Sequence, residues 1–132
     1  MTHTFFPGRG TWYASDSPSS SFSAVFEDDG QTGYFYAYDR SRTEDPILDA
    51  MQIYSASDIS DREIPSTAAI VWSADGLKAA LTINKYAHGV LDFAAKRGYC
   101  RTGFPPPNGQ WRADQRAAWE DSLMRSFVDT DA

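Results

Sequence analysis

Residues 25–38 read VFEDDGQTGYFYAY, two runs of apolar and aromatic residues on either side of a short acidic turn. Val25, Phe26, Tyr34, Phe35, Tyr36 and Tyr38 suit a pleated, half-buried surface. Asp29-Gly30 supplies the turn, because glycine adopts positive φ without strain and aspartate can bond its own backbone. The stretch predicts a β-hairpin, and with it a fold in which strands carry much of the body. Alternation puts Tyr34, Tyr36 and Tyr38 on one side of the returning strand, with Phe35 and Ala37 on the other.

The rest of the chain extends that pattern. Residues 11–14, 68–73, 77–84, 88–93 and 99–101 read as strands, separated by polar or glycine-bearing turns such as Asp75-Gly76. Residues 46–54 are ambiguous: Ile47, Leu48, Met51 and Tyr54 fit helical spacing after Pro46, yet the neighbouring elements favour a strand near 50–56. Shifting the chain by 46 residues superposes Val25, Asp29 and Gly30 on Val71, Asp75 and Gly76. That echo fits either a duplicated hairpin or the common Asp-Gly solution to a short turn. Pro105, Pro106 and Pro107 form a stiff extended spacer. Beyond it, Trp111, Gln115, Trp119, Leu123 and Phe127 recur every fourth residue, predicting a helix over 110–128 with a mostly apolar stripe.

These elements predict an α+β domain: a largely antiparallel sheet of about six strands, with one C-terminal helix packed on a face. An all-β sandwich or half-barrel capped by the helix is the alternative. The 132 residues suit a single domain over 1–132, with a loose lead-in at 1–9 and a frayed tail at 129–132. A hydrophobic fraction of 42% is enough for a core without staples. No apolar run reaches the roughly 20 residues a membrane helix needs, and the start lacks a secretory pattern. Cys100 stands alone, so no intrachain disulfide forms and a cytoplasmic location is expected.

The net charge of −6 argues against a nucleic-acid backbone as partner. Residues 27–49 carry seven acids against Arg40 and Arg42, while 77–101 carry Lys78, Lys85, Lys96, Arg97 and Arg101 against Asp92. Such a division is either two solvated faces or a dipolar surface that steers a charged partner.

Few residues point to chemistry. Glu27, Asp28 and Asp29 have the oxygens a hard cation takes, but three neighbours on a turn cannot all point inward, so no metal site is expected. Cys100, His88 and Asp92 are the types of a thiol nucleophile, its base and an orienting acid. Neither a glycine-framed nucleophile turn nor an oxyanion signal accompanies them, and a buried thiol beside a strand-end imidazole is the plainer reading. Two histidines and one cysteine are too few for structural zinc, and no phosphate-binding loop appears, so no cofactor is expected. The row Tyr34, Tyr36 and Tyr38, with Glu27, Asp28 and Asp29 beside it, serves either as a contact surface or as a sheet face under the helix.

The strings FEDDGQTGYFYAYD, ILDAMQIY, IVWSADGLKAALTIN and HGVLDFAAKRGYCRTGFPPP resemble a family of short bacterial proteins known only as a domain of unknown function. The likeness covers residues 24–127. Its most specific motifs are FEDDG-x-TGYFYA and GYCR-x-x-FPPP, and Lys85 stands where glycine would be expected in its turn. The resemblance implies a bacterial cytoplasmic protein and assigns no activity, cofactor or catalytic residue. The function expected is a noncatalytic protein-binding domain of regulatory or toxin-neutralising type. A small enzyme using Cys100 with His88, and a homodimer formed through a sheet edge, are the alternatives.

Overall fold

The computed structural model describes residues 2–128. Nine strands form among them: β1 (Thr2–Phe5), β2 (Thr11–Asp16), β3 (Phe22–Asp28), β4 (Thr32–Asp39), β5 (Ile47–Ser55), β6 (Ser66–Trp72), β7 (Lys78–Ile83), β8 (Tyr86–Asp92) and β9 (Arg97–Cys100). They build two antiparallel sheets, one in the order β1-β6-β7-β8-β9 and the other β2-β3-β4-β5. The expectation of about six strands in one sheet is corrected on both counts. The ambiguous stretch at 46–54 is strand, because Leu48, Met51 and Ile53 are all needed in the core.

The inner faces share one core. Phe5, Ala68, Ile70, Leu81, Ile83, Leu91 and Phe93 meet Ala24, Phe26, Phe35, Ala37, Leu48, Met51 and Ile53. Aromatic contacts stitch the layers: Phe5 meets Phe26 edge-on at 5.0 Å, and Phe22 stacks on Phe93 at 4.5 Å. Residues 2–5, expected as part of a loose lead-in, form β1 instead, because Phe5 is drawn into this core and the strand pairs with β6. The expected frayed tail at 129–132 lies outside the described residues.

The two echoing hairpins sit in different sheets. Val25 and Val71 both point outward, while Phe26 and Trp72 both point to the core. The turns use the same device: Asp29 Oδ1 accepts the amide of Gln31, and Asp75 Oδ1 that of Leu77.

The expected helix over 110–128 is not present. Residues 101–120 run as an irregular strap, followed by a 3-10 turn (Asp121–Met124) and one α-helical turn, α1 (Arg125–Val128). The four-residue spacing fails because its members go to different places. Trp111 enters the core between the sheets, whereas Trp119, Leu123, Met124 and Phe127 cover the outer face of the five-stranded sheet over Val71, Ala80, Val90 and Tyr99.

Arg116 decides the path between them. Its guanidinium binds both carboxylate oxygens of Asp49 at 2.8 Å, and the two side chains are fully buried. It also donates to the carbonyls of Pro105, Gly98 and Ala50. A helix over these residues could not thread Arg116 into the gap between β5 and β9. Gly98 makes room for the pair, since a Cβ there would meet Asp49 Oδ2 at 2.5 Å and Arg116 Nη1 at 2.9 Å. The strap closes both strand edges on this side: Gln52 N donates to Phe104 O, Trp111 N donates to Leu48 O, and Tyr99 bridges Ala117.

Candidate functional site

The outer face of the four-stranded sheet is the candidate site. Nothing among the described residues covers it as the strap and α1 cover the other sheet. Alternation places Trp12, Ala14 and Asp16 from β2, Ser23, Val25 and Glu27 from β3, and Tyr34, Tyr36 and Tyr38 from β4 on this side. The opposite side of β4 carries Phe35 and Ala37, both fully buried. The tyrosine row therefore faces outward and does not lie under the helical turn.

Between β2 and β4 lies a groove of about 250 Å³, with Ala14 and Val25 inside and Trp12, Tyr36 and Tyr38 around it. Trp12 is 60% exposed, an unusual state for an indole in a strand. Its Nε1–H donates to Tyr36 Oη at 3.3 Å, and Tyr36 Oη–H donates to Glu27 Oε1 at 3.3 Å. This relay orders three side chains from three strands. Burial raises the Tyr36 hydroxyl pKa, and the Glu27 carboxylate adds to the rise, so the phenol stays protonated and keeps donating. The other end is closed by Arg40, which donates to Ser23 Oγ at 3.0 Å and Ser20 O at 2.6 Å and lies 3.6 Å from Asp16.

The three adjacent acids point three ways. Glu27 belongs to the open face. Asp28 is buried and accepts from Gly8 N, Gly30 N and Tyr54 Oη at 2.7, 2.8 and 2.5 Å, tying β3 to β5 and to the β1–β2 corner. Burial, reinforced by that bond to Asp28, pushes the Tyr54 hydroxyl pKa up. Asp29 caps its own turn, and the amides of Thr32 and Gln31 hold its carboxyl below the usual carboxylate range. Asp28 and Asp29 thus serve the hairpin, and only Glu27 is offered to a ligand.

Cys100 and His88 are not brought together. Cys100 pairs with Gly89 and points into the core, where its thiol lies 3.3 Å from Thr102 Oγ1. His88 is the extra residue of a β-bulge, because Leu81 opposes Gly89 and Thr82 opposes Ala87. There it meets Tyr86 edge-on at 5.3 Å, and burial together with the charge of Arg101 pushes its pKa down to about 4. Asp92 Oδ1 accepts the Ala95 amide and stands between Lys78 and Arg97 in the register. Among the described residues the Cys100 thiol contacts Thr102 Oγ1 and the Phe104 carbonyl.

Larger hollows of about 420 and 430 Å³ flank the strap. The first is lined by Asp49 and Arg116, which bind each other, and by Lys96, Arg97 and Gln115. Among the described residues no helix is long and apolar enough to cross a membrane.

The model of a family described as "Uncharacterized protein conserved in bacteria (DUF2251)" matches residues 5–128. The chain belongs to this family. An uncharacterized protein of Haemophilus influenzae is 40% identical over 87 residues, covering 66% of this chain and 54% of the relative. The chain thus spans about half the length of that curated relative. No solved structure matches it. DUF2251 membership assigns no chemistry. Neither the exposure of Trp12 nor the Asp49–Arg116 pair is legible in the sequence. An isolated TWYA run shows alternation but not which ring stays wet, and residues 67 apart in the chain carry no local sign of pairing.

Proposed function

We propose that this chain is a noncatalytic bacterial domain that binds another protein through the outer face of its four-stranded sheet, in a regulatory or toxin-neutralising role. The observation that carries this reading is the contrast in cover: an aromatic face with a 60% exposed tryptophan stands open, while the opposite outer face is sealed by the chain itself. Tyrosine and tryptophan combine broad apolar bodies with polar tips, the composition favoured where proteins meet. A cytoplasmic location fits the single thiol held within the core. The enzymatic alternative is weakened by the contacts of its two members, since the Cys100 thiol meets Thr102 and the Phe104 carbonyl while the His88 ring meets Tyr86.

The test compares partner recovery from native bacterial extract by the wild type and by a Tyr34/Tyr36/Tyr38 triple alanine variant of unchanged circular dichroism. Loss of specific partners from the variant supports the reading, and equal recovery overturns it. A second copy as the partner is favoured by one feature: β2, which carries Trp12, is an edge of its sheet. Light scattering decides it, since a mass that doubles with concentration supports self-pairing and a constant monomer mass excludes it.

A further inference from the structure

We propose that the Trp12–Tyr36 end of the open groove, with the Glu27 carboxylate bonded to Tyr36 beside it, receives an arginine side chain presented by an extended segment of the partner protein. This rests on the binding face proposed above and names what the face recognises.

The argument comes from the covered side of the same molecule. There Arg101 lies over the ring of Tyr86 at 4.2 Å and over the ring of Trp119 at 4.7 Å. Its Nη2 is 3.4 Å from Asp121 Oδ1, and Trp119 Nε1 donates to that same oxygen at 3.0 Å. A tryptophan, a tyrosine and a carboxylate, linked by the indole N–H, thus surround one guanidinium. Aromatic faces carry negative potential and the acid completes the neutralisation.

The open face repeats the set without the cation. Trp12 donates to Tyr36, Tyr36 donates to Glu27, and among the described residues no lysine or arginine pairs with Glu27. Arg40, the nearby cation of the groove, is engaged at the far end by Asp16, Ser23 and Ser20. The surrounding charge favours the same ligand. Residues 11–55 hold eight acids against Arg40 and Arg42, and with Asp49 neutralised by Arg116 in the core the acidic excess of this segment is five. A cation approaching this sheet is attracted both at long range and at the groove. The groove's apolar interior of Ala14 and Val25 suits the methylene stem that carries the charge.

The test titrates the full chain with the peptide acetyl-Thr-Val-Arg-Val-Thr-amide while observing the Trp12 indole N–H by NMR. The control replaces arginine with citrulline, which has the same shape and no charge. The arginine peptide is expected to shift the Trp12 signal with an affinity at least ten-fold above the citrulline peptide. Glu27→Gln should erase most of that ratio, and Trp12→Ala should abolish the response read at Tyr36. Equal affinity for the two peptides overturns charge recognition while leaving protein binding by this face intact. No Trp12 response to the arginine peptide at millimolar concentration overturns the proposal. So does a response unchanged by Glu27→Gln and Trp12→Ala, which would mark diffuse attraction to an acidic surface.

Discussion

On the five-stranded sheet, Ala80 and Val90 are buried beneath Trp119, Leu123, Met124 and Phe127; on the four-stranded sheet, Val25 is sheltered only by the groove side chains around it. The two hairpins at the heart of these faces share a turn device and an inward aromatic. What separates them is the tail of the chain. A buried ion pair holds the strap across the β5 and β9 edges and delivers four apolar side chains to one face only. The face left open has polar tips on its rings and acids at its rim, chemistry that tolerates water. The covered face has alanine, valine and a cation already in place.

The sharpest way to break this contrast is to release the strap. Arg116→Met leaves Asp49 buried without its counter-charge, which should cost about 3–5 kcal/mol in urea denaturation. Adding Asp49→Leu to Arg116→Met should restore much of the loss, because the penalty lies in the orphaned charge. The faces can then be compared directly. Phe127→Ala should cost about 3 kcal/mol, since the ring is 3% exposed, whereas Trp12→Ala should change stability by less than about 0.5 kcal/mol. A comparable loss from both substitutions would show that the face bearing Trp12 is not open.

A smaller effect sharpens the account of the covered sheet. Its β7–β8 turn holds Asn84 at φ 52° and Lys85 at φ 68°, a pairing that favours glycine at the second position. Lys85→Gly should stabilise by up to about 1 kcal/mol and leave peptide binding at the other face untouched. A pH slope tests the same sheet. His88 is neutral in the native state, with its pKa lowered to about 4 by burial and by Arg101, against 6.5 in the unfolded chain. As pH falls from about 6.5 to about 4 the unfolded chain gains a proton that the folded chain does not, so stability should decline through that window and hold above it. His88→Gln should flatten this slope, and a His88 midpoint near 6.5 by NMR would contradict it.

Much of the strand architecture was legible because its signals are local. The 25–38 hairpin, the Asp-Gly turns and the shared side of Tyr34, Tyr36 and Tyr38 follow from period-two alternation and turn chemistry within a few residues, though not which way that side faces. The strap was not legible, because its conformation is set by contacts distant in sequence. Trp111, Trp119 and Phe127 repeat with helical spacing, yet Arg116 is drawn to Asp49 and to the carbonyls of Gly98 and Ala50, and that overrides local preference. β1 was not legible because a four-residue strand ending at Phe5, just ahead of Pro7-Gly8, gives too little alternation to read. The pairing of Cys100 was not legible either: it opposes Gly89, and His88 is the extra residue of a bulge that gives no local sign.

The difference between the two outer faces can be read in one NMR experiment with a soluble paramagnetic gadolinium chelate. The Trp12 indole and the Tyr36 and Tyr38 rings should relax strongly, while the Val90 methyls and the Phe127 ring should be spared. Equal protection of Trp12 and Phe127 would contradict the account, because the four-stranded sheet would then be covered as fully as its neighbour.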